Sequence, residues 1–382
     1  MKNQKICIIG GGLTGLITAI TLSKLNCKID LMARDIEQNS KSNRTIAISQ
    51  NNLDFLDKLN ISKLFKKNTW PCSLMKLYTE TENKNFLEVF ELNKENEEEK
   101  VLYMLENSKI MKLMMNKIKK IKSISMKNYK KVSLISHSGS LKNVKYNNNI
   151  SKYNLVIICS GYNSCLTKNA FDSKIIENSY KETGITTILE HSEIKNNIAR
   201  QIFLENSIFA MLPISNNKTS IVWSVKKNIS RSKNSFLKNK IKFYTKNYLK
   251  KIKFLSNIEL KDLNLLIRKK YYSGRVLLFG DALHVMHPFI GQGFNMTLRD
   301  LASLEKILTK KINLGLDIGS SDILSEFSSE TKPRNFAFSV ASDLLKNSLY
   351  FKKPRNDLLK MLNKSNLVKD IFFNIADKGF KF

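Results

Sequence analysis

Gly10-Gly11-Gly12-Leu13-Thr14-Gly15 places Gly10, Gly12 and Gly15 in the spacing GxGxxG. Glycines so spaced let a backbone turn tightly, approach a diphosphate and pack a helix on a strand, while the free N–H groups and dipole of the helix start favour the anion. The required context is present. Lys5 to Ile9 is a short apolar, β-branched run expected to form a buried parallel strand, and Leu16, Ala19, Ile20 and Ser23 recur at helical spacing. A nucleotide-binding turn is therefore expected, with Thr14 inside it. A second group lies far downstream: Gly280-Asp281, His284, Met286-His287-Pro288, then Gly291-Gln292-Gly293-Phe294-Asn295, with a helix expected from Asn295 through Leu304. It offers another helix start with unpaired N–H donors beside glycines. His284 and His287 would suggest zinc only with a third ligand, and Asp281 is the sole neighbour that could serve. No metal is assigned, and the two histidines are given packing roles.

The elements that hold these residues belong to a folded chain. Its 382 residues, 42% hydrophobic and 25% charged, suffice for about two domains and exclude an intrinsically disordered protein. Lys plus Arg number 64 against 33 Asp plus Glu, a formal net charge of +31. The excess is mostly Lys travelling with Asn and Ile, a composition that an AT-rich coding sequence produces without a nucleic-acid partner; attraction to an anionic membrane surface stays open. Cys7, Cys27, Cys72, Cys159 and Cys165 form no CxxC pair, so neither a disulfide framework nor a zinc site is indicated. Ile6 to Leu22 is apolar enough to raise a signal peptide or anchor, but four glycines inside it argue otherwise. A cytoplasmic protein is expected, with any membrane contact peripheral, on the inner face.

The segment from Gly274 through Asn295 closely resembles the second flavin motif, GDAAHxxxPxxGQGxN, of the FAD-dependent aromatic hydroxylases related to para-hydroxybenzoate hydroxylase. Asn43-Arg44-Thr45-Ile46-Ala47-Ile48-Ser49 is similar to the DxRTxALS element of the ubiquinone-biosynthesis hydroxylases, the UbiH, UbiF and VisC group. Val101 to Asn107 is similar to their GYxxEN segment. Ala199 to Phe203, Phe209 to Ile214 and Ser220 to Ser224 keep that group's order, and Arg334 with Ser342 to Leu345 echoes its last helix. The resemblance spans nearly the whole chain. It implies an α/β fold in which a Rossmann-like FAD-binding domain (1–72, 102–168 and 265–345, discontinuous) carries a mixed β-sheet substrate domain (73–101 and 169–264) and a C-terminal helical tail (346–382).

FAD would be the cofactor, NADPH or NADH the co-substrate, and a polyprenylated phenol of ubiquinone biosynthesis the lipid-like substrate hydroxylated with O2. Cofactor contacts would come from Gly10, Gly12, Thr14, Gly15, Arg44, Asp281, Pro288, Gly291, Gln292, Gly293 and Asn295. Residues facing flavin and substrate would include Pro288, Phe289, Phe209 and Pro213. A ubiquinone-synthesis complex is a conceivable partner; nucleic acid is not. The chain departs from the pattern at several places: Ala33-Arg34 stands where the ribose-binding acid is expected, Asn43 replaces the Asp of DxRTxALS, Ser160 replaces the Asp of the GADGxxS motif, Thr167 stands for the usual Arg after it, and Thr297 replaces a Gly. A flavin-dependent dehydrogenase or reductase, or a weakly active FAD-binding member of a ubiquinone-synthesis complex, therefore stays open as the alternative.

Overall fold

The computed structural model describes residues 4–34, 42–59, 65, 67–93, 100–138, 140–162, 164–171, 175–288 and 291–350. The expected C-terminal helical tail lies outside them from residue 351 onward, as does Phe289.

Lys5–Ile9 pairs in parallel with Lys28–Ala33 on one side and Leu155–Ile158 on the other. Val276–Leu278 and Ile124–Asn128 extend this sheet outward, also in parallel, and Tyr272–Ser273 closes one edge. A parallel strand covered on both faces needs apolar residues at every position rather than at alternate ones. Leu155–Ile158 accordingly has all four side chains buried, as do the last four residues of Lys5–Ile9. Fully burying each such side chain contributes roughly 1.5–3 kcal/mol. Three strands far apart in sequence thus end side by side, and the turns that follow them, at residues 10, 159 and 279, share one edge of the sheet. Cys159 N–H donates to Ile9 O at 2.8 Å and Phe279 N–H to Ile158 O at 3.0 Å, which carries the pairing into those turns.

The second sheet is larger and mixed. Its path runs His284–Val285, Glu259–Arg268, Ile175–Glu190, Lys218–Lys226, Ile208–Ser215, Ile198–Phe203, Leu74–Glu80 and Phe86–Asn93. Leu74–Glu80 and Phe86–Asn93, its last two strands, pair antiparallel. Glu259–Arg268 pairs with Ile175–Glu190 over most of its length, so the expected boundary between residues 264 and 265 falls inside one strand. The helix Asn234–Thr245 covers one face through Leu237 and Ile241, which pack with Phe209, Trp223 and Ile202. The other face looks toward the parallel sheet. Gly293–Asn313 and Ser321–Tyr350 are the long C-terminal helices, and Arg275 fixes the loop between them by a two-armed bond to Asp317, 3.0 and 2.6 Å.

Candidate active site

The first glycine turn is built by contact. A Cβ on Gly15 would lie 1.8 Å from the Gly10 carbonyl oxygen, so the helix Leu13–Leu22 can sit against the strand end only with glycine there. This helix has no side-chain cap and no acidic residue in its first turn, which leaves its initial N–H groups for a ligand. Gly280 has φ +61°, and a Cβ on it would come within 2.6 Å of Thr14 Cγ2. The Gly-Asp turn therefore presses directly on the start of the first helix. Asp281 is exposed there, on the wall of the central cavity, and among the described residues its carboxylate has no hydrogen-bond donor.

The second helix start is held by Asn295. Its side-chain amide donates to Ala47 O at 3.0 Å and Gly291 O at 3.3 Å, and its Oδ1 accepts from Ser49 N–H at 3.0 Å and Asn52 Nδ2 at 2.9 Å. A fully buried amide thus ties the turn at residue 291 to the Ala47–Ser49 segment. That segment is a strand, Thr45–Ile48, paired antiparallel with Leu102–Glu106, so two motifs distant in sequence form one ribbon. Gln292 caps Gly293–Asn313 without a side-chain bond, and no acid lies in the first turn. Two uncapped helix starts consequently open onto one space.

That space is a cavity of about 1870 Å³, beyond the ~300–1,000 Å³ of an ordinary small-molecule site. Gly10, Gly12, Thr14, Arg44, Asp281, Pro288, Gly291 and Gly293 line one side. Opposite them stand Gly184, Thr186, Ala210, Leu212, Val222 and Ser224 of the mixed sheet. Gly15, Gln292 and Asn295 lie behind the wall. Phe209 and Pro213 do not face the cavity, contrary to expectation, because side chains alternate along Ile208–Ser215. Ile208, Ala210 and Leu212 line the space, whereas Phe209 turns to the other face and packs on Tyr244 at 5.2 Å and Trp223 at 6.0 Å. Both Phe209 and Pro213 are buried.

Sequence reasoning missed Lys261 and the partners of the two histidines, and named Ser160 without its place in the site. Lys261 lines the cavity; desolvation and then the Arg44 charge lower its ammonium below the usual range, with Asp281 opposing. Ser160, at the position of the missing Asp, faces the same space, and its buried hydroxyl has no partner among the described residues. The histidines engage carboxylates far away in sequence. His284 Nε2 lies 3.0 Å from Asp300, which also accepts from Arg334 and Asn335. His287 Nε2 lies 3.1 Å from Glu182, whose other oxygen accepts from Lys346 at 2.8 Å. Burial would raise the Glu182 carboxyl, but the hydrogen bonds from His287 and Lys346 outweigh it and lower it to about 2. Burial lowers His287 from the usual imidazole range, outweighing the opposing hydrogen bond and charge of Glu182. No local motif announces such pairs, because their members lie far apart in the chain.

The sequence model of the FAD binding domain family matches residues 3–338. The chain is 29% identical over 246 residues to the ubiquinone biosynthesis monooxygenase COQ6 of Xenopus tropicalis, covering 54% of this chain and 53% of that protein. It is also 29% identical over 170 residues to the ubiquinone hydroxylase UbiL of Rhodospirillum rubrum, covering 44% and 40%. The chain spans about half the length of these relatives or less. In fold it is similar to p-nitrophenol 4-monooxygenase PnpA of Pseudomonas putida, with TM-score 0.78 and 13% identity over 99% of this chain and 100% of that one.

Proposed function

Because the chain belongs to the FAD binding domain family, we propose that it is an FAD-dependent monooxygenase that hydroxylates the aromatic ring of a polyprenylated phenol in ubiquinone biosynthesis, with NADPH or NADH as reductant. The observation that carries this reading is the single cavity running from the uncapped Gly12 helix start, past Asp281, to the uncapped Gly293 helix start beneath a sheet face of small side chains.

The residues present fit FAD. An exposed carboxylate without a donor suits a hydroxyl-bearing chain, and the open space beside Gly12 and Gly293, where a Cβ would meet nothing within 4 Å, suits close backbone approach. Bound there, FAD supplies the hydride acceptance and oxygen activation that side chains lack. The chain's own residues do the rest. N–H groups at the Leu13 helix start bind the diphosphate, with Arg44 as a cationic neighbour, and Asp281 accepts from the ribitol hydroxyls. The Gly291 to Gly293 turn donates to the flavin edge that gains negative charge on reduction. Ala210, Leu212 and Val222 exclude water from the ring of the substrate. Pro288 bounds that space on the flavin side. The discontinuous division of the chain into an FAD-binding domain and a substrate domain belongs to the same proposal.

The names of the COQ6 and UbiL relatives support the substrate class. No helix among the described residues is long and apolar enough to cross a membrane. Residues 206–258 hold twelve Lys or Arg and no Asp or Glu. They include the solvent-facing Lys238, Lys240 and Lys242 beside Phe236, which is 45% exposed, and this face is the proposed contact with anionic lipid. The unpartnered Ser160 hydroxyl favours one second reading, in which nicotinamide nucleotides are handled poorly and the protein acts as a flavin dehydrogenase or a weakly active member of a complex. Incubation of the flavin-loaded protein with a prenylphenol, NAD(P)H and labelled O2 separates the readings. The monooxygenase gives one labelled oxygen in the ring; an unlabelled product, or none, supports the second reading.

A further inference from the structure

The mixed sheet carries an irregularity directly beside the cavity. Along the pairing of Ile175–Glu190 with Glu259–Arg268, Ser179 faces Asn264 and Glu182 faces Leu263, so Tyr180 and Lys181 are extra residues with no counterpart. Lys181 takes φ +53°, a left-handed conformation that side chains other than glycine rarely adopt. Strained bulges of this kind re-aim side chains and collect near functional sites. Here the bulge aims Glu182 inward, two residues before Gly184 of the cavity wall.

Glu182 meets two partners from different parts of the chain. His287 immediately precedes Pro288, on the cavity wall, and the Gly291 turn follows; Gly291 N–H donates to Pro288 O at 2.9 Å. Lys346 comes from the last turns of the helix Ser321–Tyr350, on the far side of the group. All three side chains are buried, with residue exposures of 6%, 3% and 3% for Glu182, His287 and Lys346. The Tyr180 ring completes the packing, edge-on to His287 at 5.2 Å and beneath the Lys346 ammonium at 3.9 Å. Asp343, one turn before Lys346, adds its charge beside the Tyr180 hydroxyl.

A buried charge pair is weak evidence of stability, since apolar residues would fill the same volume at less desolvation cost, but it enforces one arrangement of the elements that supply it. We propose that Glu182, His287 and Lys346 are positioning residues that lock the His287-Pro288 segment, and with it the Gly291 to Gly293 helix start, so that cofactor binding is coupled to the seating of the C-terminal helix. This rests on the flavin reading of the cavity. Neither His287 nor Lys346 lines the cavity; both act through the Pro288 segment. By reciprocity, whatever the seated helix adds to FAD affinity, bound FAD returns as protection of the helix.

The test uses the full chain freed of flavin and titrated with FAD by fluorescence quenching, alongside hydrogen exchange of residues 340–347 with and without FAD. In the wild type, FAD slows exchange of that segment. Glu182→Gln and Lys346→Met each weaken FAD binding roughly tenfold, within the usual range of coupling between sites. The double variant, which leaves no unpaired buried charge, recovers part of the affinity. Unchanged affinity in both folded single variants overturns the proposal, and so does wild-type exchange at 340–347 that ignores FAD, a measurement that needs no variant to fold. Wild-type protein that takes up no FAD overturns the flavin reading itself, and is thereby told apart from failure of the lock alone.

Discussion

Which way a side chain points along Ile208–Ser215 decides what it can do. The segment Phe209 to Pro213 attracts notice in the sequence for its aromatic ring and its proline, and both face away from the cavity. The small residue between them in that pattern, Ala210, faces in. Substitution Ala210→Phe should fill substrate space and raise KM at least several-fold while leaving thermal stability close to wild type. Phe209→Ala should do the reverse, removing about 3–5 kcal/mol of stability with little change in KM for the folded fraction. Thermal denaturation together with steady-state kinetics checks both; a KM effect from Phe209→Ala larger than that from Ala210→Phe would reverse the assignment of faces. Alternation along a strand is legible in sequence, but its phase is set by the neighbouring strands, and composition alone does not give it.

At the scale of elements, the site is a meeting of three strand ends and two helix starts, and most of these were legible. The run Lys5 to Ile9, the glycine turn and the Gly-Asp turn each carry local signals strong enough to place them. What local signals omit is how the elements are fastened. Asn295 appears in the sequence as one more residue of a cofactor motif, whereas in the fold its amide bonds to Ala47, Ser49, Asn52 and Gly291. Asn295→Ala leaves a buried carbonyl and a buried N–H without partners, a cost on the order of 3 kcal/mol. The expected outcome is a melting temperature lowered by several degrees and faster hydrogen exchange in residues 44–49. Unchanged exchange there would mean that the Thr45–Ile48 strand is held by its pairing with Leu102–Glu106 alone. The bulge at Tyr180 and Lys181 was likewise invisible, because no glycine marks it.

Across the whole molecule, buried charge makes stability depend on pH in a definite direction. Glu182 is lowered to about 2 in the folded chain against roughly 4.3 when unfolded. The unfolded state therefore binds the extra proton first, and the stability that this carboxylate contributes is present above the unfolded value and lost as pH falls through the folded one. His287, lowered by burial, adds a loss in the same direction that begins below its unfolded value near 6.5. Denaturant titrations between about pH 7 and pH 3 should show falling stability, less steeply in the Glu182→Gln/Lys346→Met variant; an equal slope in both would remove the cluster from the account.

The proposed activity requires one cofactor spanning the two glycine turns. Reconstitution of the purified chain with FAD, followed by gel filtration and visible absorption, measures that directly. One FAD should remain bound per chain, and Asp281→Ala should lose most of it while keeping the wild-type circular dichroism spectrum. A folded wild-type chain that emerges colourless, or an Asp281→Ala variant that retains its full complement of flavin, would contradict the assignment.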